Sequence, residues 1–336
     1  MEDCKLSLIS HPAHIRQSSF DVLKCVAAFL VVAIHYGPYW INPISRIAVP
    51  LFFMITGYYF VTFSAISKFR KHFRKILIMT ISASLFYGFL SFSSAIYFGT
   101  FDNWFDSKFN LKTIAVYTLF DLDLFQIHLW YFYALAYDLL IIYFLTRKKK
   151  THYLYYAIPL LLLAFFLLRY LRYPNCYYRN WLFEGLPCIS IGMLIREYEE
   201  KIKSLFTDTQ LIVFTLFSLM LCSFEFLSHK FIWGGEIVSE IYIFSIPMSV
   251  CLICLAVKNP SIGENTIAVK IGSVYSPSIY ILHIFVGQYL LVSNLDDYPL
   301  FKTGIIFLES LLLSIFYIYS LVSTKNFLVT SRLKIK

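Results

Sequence analysis

Long apolar runs alternate with short polar ones along almost the whole chain. A helix needs about 20 mostly apolar residues to cross a bilayer. Ten segments come close: 20–41, 44–63, 75–98, 128–146, 153–171, 181–195, 206–227, 236–257, 274–293 and 303–323. The second contains Pro50 and Gly57, and the sixth is short. The pattern predicts an all-α polytopic membrane protein with about ten transmembrane helices and both termini on one side. Residues 1–19 read as a polar N-terminal segment, 20–323 as one transmembrane domain and 324–336 as a basic tail. The first apolar run is too long for a cleavable signal core and lacks a small-residue cleavage site.

Composition agrees with this pattern. Hydrophobic residues make up 59% of the 336, charged residues 15%, and mean hydropathy is +0.67. A soluble domain averages about 45–50% apolar and about 25% charged, so a soluble enzyme, a disordered chain and a collagen-like fibre are all excluded. The net charge of +9 becomes informative only by placement. With the N-terminus cytoplasmic, twenty of the 29 Lys and Arg fall in inner segments and eight in outer ones. That is the positive-inside distribution, and it leaves no reason to invoke nucleic acid. Among the seven cysteines, Cys251 and Cys254 form a CxxC within an apolar helix with no second pair, which reads as ordinary helix packing.

Ionisable residues inside spans usually face a bundle interior or a wet cavity. Lys24 and His35 are eleven residues apart. They fall within about 20° of one another around the helix and about 16 Å apart along it. Asp21 precedes Lys24 by three residues and shares the face. One reading is a boundary ion pair with a hydrogen-bonded core histidine. The other is chemistry, because a desolvated, neutral imidazole can take a proton from a hydroxyl. Further polar groups in or beside spans are His128, Asp138, Arg179, Glu184, Glu240, His283 and Glu309. His128 opens the fourth span beside Trp130 and Tyr131, an interfacial position. Arg169, Arg172 and Arg179 cluster on the outer side, suiting either lipid headgroups or an anionic substrate. The longest outer loop, 99–127, is acidic and aromatic, and a surface helix is expected over 111–126. P-loop, dinucleotide-fingerprint, zinc-protease and serine-hydrolase motifs are all missing.

These residues resemble a known family. Phe20-Asp21-Val22-Leu23-Lys24, Ala27 to Val32 and His35 are similar to the first helix of the acyltransferase-3 family of integral membrane O-acyltransferases. Val49 to Tyr58 resembles its second-helix motif, with Thr56 where Ser is usual. His128-Leu129-Trp130-Tyr131, the stretch Arg179 to Gly192, and Ser276, Ile279-Tyr280 and His283 resemble later blocks in family order. Two departures stand out: Lys24 replaces the commoner arginine, losing its bidentate fork, and Pro277-Ser278 stands where Phe-Gly is frequent.

The resemblance implies a stand-alone enzyme of the bacterial cytoplasmic membrane, without a fused esterase-like domain. Such an enzyme moves an acyl group, most often acetyl from acetyl-CoA, onto a hydroxyl of a cell-surface or lipid-linked glycan. Catalytic candidates are His35, Lys24 and Asp21. Candidates for substrate binding are Arg179, Glu184, His128, Trp130, Tyr131 and His283. Acyl-CoA, membrane lipid and the glycan are the expected partners, and no metal is expected. Two other readings remain. Asp121 and Asp123 would suit a divalent cation in a lipid-phosphate-dependent glycosyltransferase. Intramembrane Lys, His and Glu would suit a proton-coupled transporter or flippase, although no two-halves repeat is visible.

Overall fold

The computed structural model describes residues 17–63, 65–232, 240–290 and 295–333. Among them every regular element is helical. In chain order these are α1 (Ser18–Tyr36), α2 (Asn42–Ser45), α3 (Ala48–Phe63), α4 (Ile66–Tyr97), α5 (Phe101–Phe109), α6 (Leu111–Leu119), α7 (Trp130–Arg147) and α8 (His152–Tyr170). They continue with α9 (Leu186–Glu197), α10 (Glu199–Leu205), α11 (Asp208–Ile232), α12 (Ser245–Lys258), α13 (Ile267–Lys270), α14 (Ser276–Phe285) and α15 (Pro299–Leu333). Most of the predicted N-terminal segment, residues 1–16, lies outside the described residues. The predicted tail 324–336 is helical as far as Leu333, because α15 runs on into it.

Helices occupy all ten predicted segments, but only seven among the described residues are long and apolar enough to cross a membrane. The exceptions are α3, α9 and α12, with 16, 12 and 14 residues. Their shortness has a common physical setting. Leu51, Phe53 and Met54 of α3, Cys188 and Ile189 of α9, and Ile253 and Val257 of α12 are fully buried. Interrupted backbone is tolerated at membrane depth where protein, not lipid, surrounds it. By contrast, α4, α8, α11 and α15 expose large apolar side chains such as Leu85, Leu163, Phe224 and Phe316, which suits a lipid-facing rim.

The centre of the bundle is the contact of α3 with α9. A Cβ on Gly57 would lie 2.0 Å from the Ile189 carbonyl oxygen, and one on Gly192 would lie 1.9 Å from that of Met54. Each glycine therefore admits the other helix's backbone, the close approach that small residues permit between membrane helices.

Two wide, π-type turns precede prolines. Residues Trp181–Gly185 lead into Leu186-Pro187, and Ile271–Tyr275 into Ser276-Pro277. Proline has no N–H to offer the carbonyl four residues back. The preceding turn loosens, and π turns of this kind are frequent at functional sites. The departure at Pro277 from the family's usual pattern is thus the start of α14. The helix expected over 111–126 is shorter than predicted. It ends at Leu119, and Asp121 takes a left-handed conformation with φ 51°.

Candidate active site

A cavity of about 360 Å³ opens at the His35 end of the bundle. Six separate stretches of the chain supply its wall. The last turns of α1 give Val31, Ile34 and His35. The residues around α2 and the start of α3 give Arg46 and Val49, and the approach to α7 gives Gln126, His128 and Trp130. Arg179 and Glu184 come from the Asn180-capped π turn and the residue before it. Tyr280, Ile284 and Gln288 come from α14 and the π turn after it, and Glu240 closes the ring.

Three histidines meet there. The His35 and His283 ring centres are 5.2 Å apart, as are those of His128 and His283. His35 is exposed, into the cavity, whereas His283 is fully buried and His128 nearly so. The hydrogen bonds of the two buried rings fix their tautomers, because a carbonyl oxygen only accepts. His128 Nε2–H donates to the Ile281 carbonyl at 3.3 Å, and Nδ1 is left without a protein partner. His283 Nδ1–H donates to the Tyr280 carbonyl at 2.7 Å, and Nε2 is left without one. Tyr280 closes the arrangement by donating from its hydroxyl to the His128 carbonyl at 2.6 Å. Tyr87 Oη donates to the same Ile281 carbonyl, at 2.6 Å, and accepts from Phe285 N at 3.1 Å. Two bare imidazole nitrogens are therefore held, buried, around the exposed His35.

The charged groups of the cavity are largely spoken for. Glu240 accepts from Arg179 at 3.0 Å, Arg46 at 3.1 Å and Asn175 at 2.7 Å. The Arg179 guanidinium also sits 5.4 Å from the Trp130 ring centre. Burial works against its charge, but Glu240 and Glu184 outweigh that and raise its pKa. Glu184 is buried, and its Oε2 has no hydrogen-bond partner. The π turn delivers it: Asn180 Oδ1 accepts from Leu182 N and Phe183 N, setting the turn from which Glu184 projects. Two arginines and two glutamates thus face one space, so their formal charges cancel.

The acyltransferase-3 profile, an acyltransferase domain, matches residues 17–323, nearly the whole chain. The chain belongs to the acyltransferase-3 family. It is an integral membrane acyltransferase that transfers a group other than an aminoacyl group. No curated protein matches the chain significantly, and neither does any solved structure.

Within this family fold, the structure gathers most of the predicted site residues and separates two. His35, His128, Trp130, Arg179 and Glu184 line the cavity, and His283 touches its histidines. Tyr131 lies behind the wall, its ring packed on Tyr280 at 5.3 Å and on Phe53 at 4.7 Å. Asp21 and Lys24 pair with each other at 3.2 Å at the opposite end of α1, with Lys24 Nζ 5.7 Å from the Tyr59 ring centre. They are not cavity groups. Sequence reasoning missed Arg46, Gln126 and Gln288 as site residues, and passed over Glu240 and Tyr280 when choosing them. Gln126 stands in an inter-span loop and Arg46 at the very start of the second predicted span, where each was read only for topology.

The acidic and basic clusters predicted for the outer side have structural partners. Asp123 Oδ1 accepts from Phe125 N and Gln126 N, at 2.8 and 2.7 Å, and its Oδ2 accepts from Ser84 Oγ and Tyr133 Oη. Asp121 Oδ1 accepts from Trp181 N at 3.3 Å. Both carboxyls are buried. Burial pushes the Asp121 carboxyl up to about 8, against the opposing pull of Trp181 N–H and Arg179. They brace the loop against the π turn and do not form an open cation-binding face. Among the described residues no group of three or more His, Cys, Asp or Glu has metal-holding geometry. Arg169, one of the three clustered arginines, is likewise engaged, by Glu225 at 2.9 Å and the Ile241 carbonyl at 2.9 Å.

Proposed function

We propose that this protein is an O-acyltransferase that moves an acyl group, acetyl from acetyl-CoA, onto a hydroxyl of a cell-surface or lipid-linked glycan in the bacterial cytoplasmic membrane. The single observation that supports this reading best is the exposed His35 imidazole beside the bare Nε2 of buried His283. A base, and a second group that orients it, is the recurrent arrangement for activating a weak nucleophile. In the reaction His35 takes the proton of the acceptor hydroxyl as its oxygen attacks the thioester carbonyl. The tetrahedral intermediate collapses, the C–S bond breaks, and the proton passes to the departing CoA thiolate. The products are the O-acyl ester and free CoA, with no net proton gained or lost.

The cancelled charges suit a neutral polyol better than a phosphate or carboxylate at the point of attack. Glu184, Gln126 and Gln288 offer acceptors and donors for sugar hydroxyls. Lys24, at the far end of α1, belongs in this reading to the donor side. The same reading takes that end of the bundle as cytoplasmic and counts the buried α3, α9 and α12 as spans. The test is transfer of radiolabelled acetyl from acetyl-CoA in isolated membranes, with mass spectrometry of the surface glycan. His35→Ala is expected to insert normally and to lose transfer by about 10²–10⁴-fold, the usual scale of general-base catalysis. Normal acylation by that variant would refute the assignment.

A further inference from the structure

A second concavity, of about 670 Å³, lies beside the first and is almost wholly apolar. One wall is Pro38 and Trp40, just past the end of α1, and the other is the start of α15, with Phe301, Gly304, Ile305 and Leu308. Trp40 is 66% exposed and Phe301 62%. Gly304 forms an open stretch of this wall: a Cβ there would meet nothing within 4 Å. Glycine is a much poorer helix former than alanine, so a helix-forming residue has been forgone where a side chain would have room.

The groove ends beside the histidine cavity. Pro38 is three residues past His35, a span of at most about 11 Å. The Tyr36 ring stands between the two spaces. It packs on Gly287, where a Cβ would lie 2.2 Å from Tyr36 Oη, and the next residue, Gln288, lines the cavity. Lys302 Nζ lies 5.8 Å from the same ring and pairs with Asp296 at 2.5 Å. An apolar trough therefore runs to a cation and an aromatic partition, with the candidate base on the other side.

We infer that this groove holds the hydrocarbon chain of a lipid-linked acceptor, whose linking phosphate meets Lys302 and whose sugar passes Tyr36 into the cavity. This rests on the acyl-transfer reading above. Ordinary phospholipid would cover any lipid-facing wall. What favours the acceptor lipid is the continuity of the trough with the cavity and the lysine placed at the join: its partner Asp296 is 70% exposed, so that pair is weakly held and open to exchange for a phosphate, whereas the cavity's arginines are held by a Glu240 that is only 16% exposed.

The test is photolabelling of the full-length protein in phosphatidylethanolamine–phosphatidylglycerol nanodiscs. The probe is an isoprenyl-phosphate sugar with a diazirine in its chain, and the comparison probe is a diazirine phosphatidylethanolamine. The sugar lipid is expected to label peptides covering 36–40 and 298–308 saturably, and unlabelled sugar lipid is expected to compete. Gly304→Trp, which fills the groove, is expected to cut that labelling at least tenfold, whereas Gly304→Ala keeps it. Equal, non-saturable labelling by both probes would mean bulk lipid only and would overturn the inference. Undiminished labelling of Gly304→Trp would overturn it too. The readout needs no turnover, so a failed groove and a failed acyl-transfer assignment are told apart by assaying acetyl transfer in the same nanodiscs.

Discussion

The Tyr280 side chain donates its hydroxyl proton to the backbone carbonyl of His128, 152 residues earlier in the chain, at 2.6 Å. This one bond ties α14 to the start of α7 and sets two of the three cavity histidines relative to each other. Its carbonyl acceptor is buried with it. In Tyr280→Phe that carbonyl loses its donor, and an unsatisfied buried polar group costs about 1–3 kcal/mol. The variant is expected to fold, to melt lower in detergent, and to lose acyl transfer mainly in kcat. An unchanged kcat with a lowered melting temperature would reduce Tyr280 to a purely structural role.

His283 offers a sharper test of the proposed base. Its Nδ1 is committed to the Tyr280 carbonyl and its Nε2 is bare, with the ring centre 5.2 Å from that of His35. His283→Phe keeps a ring of similar bulk and removes the acceptor nitrogen. Transfer is expected to fall by about tenfold or more while KM for the acyl donor stays within a factor of two, because the donor does not touch His283 in the proposed mechanism. Equal loss from KM and kcat would instead point to a collapsed cavity.

The clasp on Glu240 makes a prediction about selectivity. Arg46 and Arg179 both spend a hydrogen bond on that carboxylate. Removing one member of a buried ionic group leaves uncompensated charge and costs about 3–5 kcal/mol, so Glu240→Ala should accumulate poorly. Glu240→Gln keeps much of the hydrogen bonding but not the charge, leaving two arginines to face the cavity. It is expected to become sensitive to inhibition by sulfate or phosphate at concentrations that leave the parent protein unaffected. Acyl-transfer assays at fixed ionic strength with each anion would show it.

How far the sequence revealed this site depends on which bonds are local. The first helix was legible as a unit. Its periodicity gave His35 a definite face, although Gly37-Pro38 stops the helix at Tyr36, five residues short of the predicted end. The same local logic misplaced Lys24. Sharing a helical face with His35 says nothing of the distance along the axis to a cavity that only the His35 end borders. The meeting of His35, His128 and His283 is a product of three helices from different parts of the chain, and no spacing announces it. Glu184 and Gln288 reach the cavity because π turns re-aim them. Pro187 and Pro277 mark where two of the three wide turns end, but not which side chain each turn brings around. The short helices α3 and α9 looked like weak spans for a physical reason, which α12 shares although its sequence did not show it: they face protein, so they need neither the full length nor the continuity that lipid contact demands.

At the Asp21 end, α10 carries the clearest pH-sensitive contact outside the spans. Glu199 accepts from Lys203 Nζ at 2.6 Å and from Tyr58 Oη at 2.8 Å, and Arg196 Nη1 also donates to it. Burial pushes the Glu199 carboxyl up. The Lys203 ammonium, the Tyr58 hydroxyl and the Arg196 guanidinium outweigh burial and hold it below the usual glutamate range. A carboxyl with a lower pKa folded than unfolded stabilises the fold above the unfolded value of about 4.3, and that contribution is lost as pH falls through the folded value. The parent protein's melting temperature in detergent should therefore drop between about pH 5 and pH 3. In Glu199→Gln the carboxyl is gone, so this part of the drop should vanish and the two curves should converge at the acid end. For a protein of this size a linkage of about 1 kcal/mol moves the melting temperature by about 2–4 °C or less, within reach of a differential-scanning measurement. Curves that stay parallel from pH 7 to pH 3 would show that Glu199 is not what the acid transition titrates.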